Sequence, residues 1–226
     1  MPTTLPLFPL NVVLVPGLVL PLHIFEPRYR ALVEELLAGP DQDAREFGIV
    51  GVREGRTVEA DGRDALFPVG TTAIVRQAER LHDGRFDIVT TGGRRFRIAS
   101  IDLAEPLVRG EVDFLTDVED AGDVALASLV ARAFLAYRSA LGGQVAAEAG
   151  IDPGSADDLP DDPTVLSYLV TAAMVLHPDE RQSLLAAPST AARLAQARAL
   201  LVRETGLIAA LGAVPILESP SSSSPN

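Results

Sequence analysis

The sequence of 226 residues contains neither cysteine nor lysine. Without cysteine the chain cannot form a disulfide, a thiolate nucleophile or a cysteine zinc site. Without lysine it cannot form a Schiff base, supply the lysine of a nucleotide-binding phosphate loop, or pair a lysine with a catalytic serine. All nineteen basic residues are arginine. These two absences exclude several classes of enzyme before any motif is considered.

Positive charge is also scarce in this chain. Its 19 basic and 31 acidic residues give a formal net charge of −12. Because nucleic-acid backbones and anionic membranes bind clustered positive charge, neither is an expected partner. No positively charged leader opens the sequence, and no uninterrupted apolar run approaches the ~20 residues of a membrane-spanning helix. The sequence therefore predicts a cytoplasmic location.

The most apolar stretch, Leu5 to Arg30, reads LPLFPLNVVLVPGLVLPLHIFEPRYR and contains five prolines. Proline cannot donate to a sheet ladder, so LPLFPL is predicted to be an edge strand or an extended entry segment. A turn at Pro16-Gly17 and a second short strand, LVLPL, should follow. A helix is predicted from about Pro27 to Ala38, since proline is well tolerated at a first helical position.

The rest of the first half has the alternation of strands. RRFRIASI places Arg95 and Arg97 on one predicted face and Phe96 and Ile98 on the other, and the sequence from His82 to Arg85 predicts a hairpin turn. From Asp117 onward the chain is rich in alanine and leucine at helical spacing. The prediction is an α+β protein with a strand-rich domain (1–116), a helical bundle (117–212) and a disordered tail (213–226).

Several blocks of this sequence, in order, are similar to one known family. The opening stretch is followed by FGIV, VGTTAIV, DGRFDIVTTGGRRFRI and EPLVRGEV, and together they resemble the amino-terminal, substrate-binding domain of the Lon protease family over roughly Leu5 to Leu211. The resemblance implies a PUA-like pseudo-barrel followed by a helical bundle. It also implies that the module grips unfolded or tagged protein substrates.

The catalytic parts of that family have no counterpart in this sequence. No G-x-x-x-x-G-K-[ST] loop is present, and without lysine there is no Ser–Lys dyad. We therefore expect a stand-alone, non-enzymatic module without a cofactor. Whether a separate protease or chaperone collaborates with it, and whether it forms oligomers, stay open at this stage.

Four residues are predicted to line the contact surface: Leu18, Phe25, Arg28 and Tyr29. Short strands interrupted by proline leave unpaired edges and partly uncovered apolar side chains, and such surfaces accept extended peptide. A simpler interpretation of the polar residues is that Glu26 caps the helix while the arginines brace the strands.

Two other functions stay in competition with protein binding. The first is a peptidase, or an accessory subunit acting with a separate protease. The second is RNA binding through the strand Arg94 to Arg97, since PUA-like folds often bind RNA. The three histidines, His23, His82 and His177, are too dispersed for a metal site. The acidic run DPGSADDLPDD does not have the spacing of a calcium loop and is predicted to be a solvated linker.

Overall fold

The protein is described by a computed structural model that covers residues 3–39, 45–103, 107–119, 122–142 and 158–211. All six strands lie before residue 115 and the longest helices follow them, which confirms the predicted α+β class. The chain divides into two compact units, one of residues 1–118 with 177–189 and the other of 119–176 with 190–226. The division near residue 117 stays a prediction. The predicted tail and most of the acidic linker lie outside the described residues.

The first unit contains six strands within the part of the chain that the structure describes. Its elements are β1 (Thr3–Leu10), β2 (Val19–Ile24), α1 (Pro27–Ala38), β3 (Glu46–Gly51), α2 (Val58–Asp61), a 3-10 turn (Gly62–Ala65), β4 (Val69–Arg80), β5 (Phe86–Asp102), β6 (Arg109–Phe114) and the later helix α5 (Pro178–Leu185). The second unit contains α3 (Asp123–Gly142), α4 (Pro163–Ala173) and α6 (Thr190–Leu211). The predicted helix over 27–38 and the predicted hairpin before β5 are both confirmed.

The six strands form one sheet, and five of them close into a ring. Their order is β2-β5-β4-β3-β1-β6, and an additional pairing of β5 with β6 closes the ring. The 17-residue β5 makes this closure possible because its first half pairs with β2 and its second half with β6. Closure is partial, as the resemblance implied, and β2 is left outside the ring. One pairing in the ring is parallel, that of β1 with β3.

The strand that contains LPLFPL, β1, stands between β3 and β6 rather than at an end of the strand order. β1 pairs with β6 through Thr3–Pro6 and with β3 through Leu7–Leu10. Each half of the strand therefore has a registered partner on one side only. A proline in such a half can leave its missing N–H on the side that has no partner, which explains how two prolines fit a strand inside the ring.

Two apolar clusters fill the first unit. Tyr29, Leu32 and Val33 of α1 pack with core residues of the strands in one cluster. The second cluster contains Phe96, which is fully buried. A Cβ at Gly48 would lie 2.8 Å from Cζ of Phe96, so glycine at this position leaves room for the aromatic ring of Phe96.

The predicted basic face of β5 is only partly exposed to solvent, because Arg97 is exposed while Arg95 is buried. Arg95 is 3% exposed, and its guanidinium donates to the carbonyls of Leu185 (2.7 Å) and Ala187 (2.9 Å) and to Asp117 Oδ1 (2.7 Å). Gln182 of α5 donates from Nε2 to the carbonyl of Val69 at 2.9 Å. The alternation was predicted correctly, but segment 177–189 covers this face at Arg95.

The second unit is a helical bundle in which α3, α4 and α6 pack against one another. Asp162 caps α4, because its carboxylate accepts from the backbone N–H groups of Thr164 and Val165. Arg193 is fully buried in α6, where it donates to Ser167 Oγ (3.0 Å) and lies 4.0 Å from the ring of Tyr168.

Helix α3 meets the length and hydropathy of a membrane-crossing helix, contrary to the expectation that no apolar run is long enough. Core helices of bundles meet the same criterion, so the finding is weak evidence for a span. Val130, Phe134 and Tyr137 of α3 are buried within the bundle unit.

Candidate functional site

Strand β2 presents one face to the core and the other to solvent. It stands at the end of the strand order, paired with β5 alone among the described strands. Leu20, Leu22 and the buried Ile24 pack toward the core cluster. The alternate residues are exposed, and two large apolar side chains stand out, Val19 at 57% and Phe25 at 61% exposure. An exposed apolar strip therefore follows the outer side of β2.

The free backbone edge of β2 follows from its register. Gly92 N–H donates to the carbonyl of Leu18, so by antiparallel alternation the even-numbered residues of β2 exchange hydrogen bonds with β5. Pro21, which has no N–H, is one of the odd-numbered residues, whose backbone groups point away from β5. The outward backbone groups are then the N–H groups of Val19 and His23 and the carbonyls of Val19, Pro21 and His23. This edge can pair with another extended chain.

The exposed side of β2 continues across β5 and β4 in registered rows. Pro21, Val89 and Gln77 form one row, and His23, Asp87 and Glu79 form the next. They border a groove of about 510 Å³. We refer to the exposed face and edge as the β2 surface, which consists of Val19, Pro21, His23, Phe25, Gln77, Glu79, Asp87 and Val89.

The charged end of the β2 surface is organised by hydrogen bonds. His23 Nδ1 lies 2.6 Å from Asp87 Oδ1, and Arg85 NH1 lies 3.1 Å from His23 Nε2. Because a guanidinium only donates, Nε2 must accept and Nδ1–H must donate to Asp87. Arg85 also binds Asp83, whose pKa is held below its ordinary value, chiefly by the hydrogen bond from the backbone N–H of Arg85.

This arrangement places His23 at the surface, where it is hydrogen-bonded through both ring nitrogens. His82 is exposed at the hairpin turn, and His177 precedes α5 at its N-cap, with Nε2 3.1 Å from Glu54. Across the described ranges, no group of three or more histidine, aspartate or glutamate side chains has the geometry to hold a metal ion.

The structure separates the four predicted contact residues into two places. Phe25 belongs to the β2 surface, with its ring 6.3 Å from that of His23, and Leu18 is half-buried against the core at the start of β2. Arg28 and Tyr29 of α1 instead border a second cavity, of about 230 Å³. The four residues therefore do not form one continuous surface, and their role in contact stays a prediction.

Around that cavity, the simpler interpretation of the polar residues is wrong for Glu26. Glu26 occupies the N-cap position of α1, yet its side chain makes no capping bond. Its carboxylate instead accepts from Arg28, at 3.0 Å from Nε and 2.8 Å from NH2. The Arg28 guanidinium also lies 4.8 Å from the ring centre of Tyr29. The Glu26 carboxylate was expected to cap the helix, but it forms an ion pair with the Arg28 guanidinium.

Tyr29 is 3% exposed and stacks on Phe8 with ring centroids 3.7 Å apart. Burial raises its pKa to about 12, and the nearby Arg28 guanidinium opposes the increase. The unfolded chain releases this proton near pH 10, so the contribution of Tyr29 to the free energy of unfolding is fully present below that pH. It should fall by roughly 3 kcal/mol as the pH rises toward 12.

The measurement is urea unfolding, followed by circular dichroism, across about pH 9 to pH 11.5. Tyr29→Phe should be close to neutral near pH 9, because the Tyr29 hydroxyl has no hydrogen-bond partner in the described part of the chain. The variant should lose less stability than the wild type as the pH rises. An identical decline in both proteins would contradict the assignment.

Sequence reasoning missed Val19, Glu79, Asp87 and Val89. Alternation alone could have placed Val19 on one face of β2, with Leu20 and Leu22 on the other face. It could not show which strand stands beside β2, so the row that joins His23 to Asp87 and Glu79 depends on long-range register.

Comparison with known proteins identifies the family. The sequence matches the model described as the ATP-dependent protease La (LON) substrate-binding domain over residues 4–203. The chain belongs to this family, which confirms the resemblance seen in the sequence. The part that matches is the substrate-binding domain, distinct from the ATPase and protease parts of Lon.

Curated relatives are much longer than this chain. Lon protease 2 of Syntrophobacter fumaroxidans is 28% identical over 209 residues, which cover 90% of this chain and 25% of that protein. The Lon protease of Cytophaga hutchinsonii is 33% identical over 118 residues, covering 52% of this chain and 14% of that protein. The chain thus spans about a quarter of the Syntrophobacter protein.

Solved structures agree with the fold. A Lon N-terminal domain protein from Xanthomonas campestris superposes with a TM-score of 0.62 at 25% identity, covering 87% of this chain and 98% of that one. The N-terminal domain of the Mycobacterium avium complex Lon protease gives a TM-score of 0.61 at 20% identity, covering 90% and 98%. At that identity the second comparison supports the fold alone.

Proposed function

We propose that the chain is a non-catalytic protein-binding module that holds extended segments of unfolded or tagged polypeptides at the β2 surface. The observation that supports this most is an unpaired strand edge beside an exposed apolar strip, Val19 and Phe25. A guest chain laid along β2 would pair with the outward backbone groups of Val19 and His23. Its apolar side chains would cover the strip.

The physical character of the β2 surface fits a guest of variable sequence. Backbone hydrogen bonds are the same for every residue type, so strand addition does not require one particular sequence. Pro21 removes one donor from the edge, which limits the number of bonds to any guest. We therefore expect weak affinity, because few polar anchors offset the cost of ordering the guest.

The non-catalytic part of the proposal is supported by the lack of lysine and of a nucleotide-binding loop in the sequence. His23, the histidine of the β2 surface, has both ring nitrogens engaged by Asp87 and Arg85 rather than by a serine or threonine hydroxyl. Purified protein should leave casein intact with or without ATP, and cleavage would favour the peptidase alternative. A separate protease or chaperone as collaborator, and a cytoplasmic location, stay predictions.

RNA binding through Arg94 to Arg97 receives little support from the side-chain contacts. Arg95 is consumed by three hydrogen bonds inside the protein, and Arg94 pairs with Glu46 at 2.7 Å while stacking on Phe114. Fewer free cations remain on this strand than the sequence suggested, in a chain of net charge −12.

Val19→Asp tests the proposed location. A carboxylate at one end of the apolar strip should raise the dissociation constant of an extended apolar guest about tenfold, since its burial costs more than 1 kcal/mol. The probe is a fluorescein-labelled peptide of about ten residues in which valine and serine alternate, followed by fluorescence anisotropy.

Val202→Asp is the matched control, because Val202 on α6 is 58% exposed, close to the 57% of Val19. It should leave the dissociation constant unchanged. Equal weakening by both variants would mean that any exposed apolar residue suffices, and no weakening by Val19→Asp would place the binding surface elsewhere. In either case the proposed location is wrong.

A further inference from the structure

The pairing of Asp87 with Glu79 beside the apolar strip of β2 points to a selective guest. We propose that the β2 surface prefers polypeptide segments in which a basic residue, arginine or lysine, stands two positions from an apolar residue. This inference rests on the proposed function and adds a charge requirement to it. The apolar residue would lie against the Val19 and Pro21 end, and the basic residue would face the row of His23, Asp87 and Glu79.

Two carboxylates in direct register are the starting observation. Asp87 of β5 and Glu79 of β4 are paired residues, and both are exposed. Side chains directly opposite one another in an antiparallel pair lie about 5 Å apart at Cβ, and like charges at such positions destabilise a sheet. The Glu79 carboxylate has no hydrogen-bond or ion-pair partner within the described ranges. A cationic guest would relieve this repulsion.

The neighbouring basic groups leave that negative charge largely uncompensated. The His23 ring accepts from Arg85 and donates to Asp87, which is the bonding pattern of a neutral imidazole. Arg85 itself lies 2.6 Å from Asp83, which offsets its charge. Arg80 pairs with Glu34 of α1 at 3.0 Å, on the opposite side of the sheet from Glu79.

The Arg30 guanidinium lies beside Gly84 in the turn that follows β4. Arg76 is a further basic residue along β4, at the irregularity between Val75 and Gln77. It is engaged in an interaction of its own, whereas neither Glu79 nor Asp87 has such an unassigned partner. The His23, Asp87 and Glu79 row therefore presents two carboxylates and a neutral ring to any chain laid along β2.

The distances suit an arginine or lysine side chain from the guest. A guest strand would lie about 4.8 Å from β2, so the Cα of its residue opposite His23 would stand about 10 Å from that of Asp87. An extended arginine and an aspartate side chain together bridge that separation. The guest side chain would cross His23 and Phe25, whose rings could cover its aliphatic stem.

The predicted selectivity is moderate because the carboxylates are exposed. A peptide of about ten alternating valine and serine residues, with one central valine changed to arginine, should bind about fivefold more tightly than the same peptide with glutamine there. That ratio corresponds to about 1 kcal/mol. A glutamate peptide should bind more weakly than the glutamine peptide. The preference should shrink between about 20 mM and 500 mM salt, as screening of exposed charges requires.

The decisive variant is the double substitution Glu79→Gln with Asp87→Asn. Asparagine keeps an oxygen that can accept from His23, so the change removes charge with little loss of hydrogen bonding. The arginine preference should disappear, so that this variant binds the arginine and glutamine peptides with equal dissociation constants. Glu59→Gln with Asp64→Asn is the control, since it changes the net charge equally at exposed positions outside the β2 surface and should retain the preference.

The outcomes separate this inference from the proposed function. If the wild type binds all three peptides equally, or if the arginine preference survives in Glu79→Gln with Asp87→Asn, the charge requirement is wrong while peptide binding stands. If the control variant also loses the preference, net charge rather than this row is responsible and the inference is overturned. If no peptide binds, both proposals fail together.

Discussion

Replacing Arg95 with alanine is expected to destabilise the strand-rich unit by about 3–5 kcal/mol. The side chain is 3% exposed and supplies hydrogen bonds to two carbonyls and one carboxylate. Alanine would leave the carbonyls of Leu185 and Ala187, at the end of α5, without these donors. It would also leave the half-buried Asp117 carboxylate without its cation. Most of this cost comes from the acceptors that lose their donor. A buried acceptor without a donor has given up its hydrogen bonds to water and gains none in the protein.

The effect of Arg95→Ala should concentrate in one segment. Arg95 holds the C-terminal end of α5, and Gln182 holds its middle through the carbonyl of Val69. Backbone amides from 178 to 187 should therefore lose protection in hydrogen exchange before those of β3 and β4. Arg95→Lys should recover only part of the loss, because one ammonium cannot reproduce a planar fork that serves three acceptors.

Arg94→Ala is the matched control for this prediction. The neighbouring arginine is exposed, pairs with Glu46 and stacks on Phe114 with 3.7 Å from its guanidinium to the ring centre. Its removal should cost no more than about 1 kcal/mol. Urea unfolding of both variants measures the difference. Equal destabilisation would mean that the Arg95 bonds to α5 contribute little.

Local patterns in the sequence were sufficient for several elements of the fold. Pro27 at a first helical position predicted α1, and the turn residues between β4 and β5 predicted their hairpin. Each of these signals acts between residues close in sequence. The parallel pairing of β1 with β3, and the return of α5 to the strands, join segments far apart in the chain. No periodicity within a single element specifies its distant partner.

The same distinction explains the outcome at the candidate site. Alternation showed that β5 has two faces, but both are buried at Arg95 and Phe96, since different segments cover them. Phe25 is exposed, whereas Tyr29 four residues later turns inward onto Phe8. A sequence pattern identifies faces, and only the packed chain determines which of them remain uncovered.

Gly92→Ala should disrupt the entry into β2 and lower the stability of the first unit by roughly 3 kcal/mol. A Cβ at Gly92 would overlap the carbonyl oxygen of Val15 and lie 2.9 Å from its carbonyl carbon. Backbone atoms cannot rotate away as a flexible side chain can. The clash would separate the strand from the segment whose bonds it completes, since Gly17 N–H donates to Gly92 and Gly92 N–H donates to the carbonyl of Leu18.

Because these two bonds set the register of β2, the loss should reach the β2 surface as well. Gly92→Ala is expected to weaken binding of the valine–serine peptide even at a temperature where the variant remains folded. The control is Gly206→Ala on α6, where an added Cβ meets no atom within 4 Å. Alanine should stabilise that exposed helical position by about 1 kcal/mol, so one substitution type gives opposite signs at two sites. If Gly92→Ala bound the peptide with wild-type affinity, an ordered β2 edge would not be required, and the guest would have to be held by side chains alone.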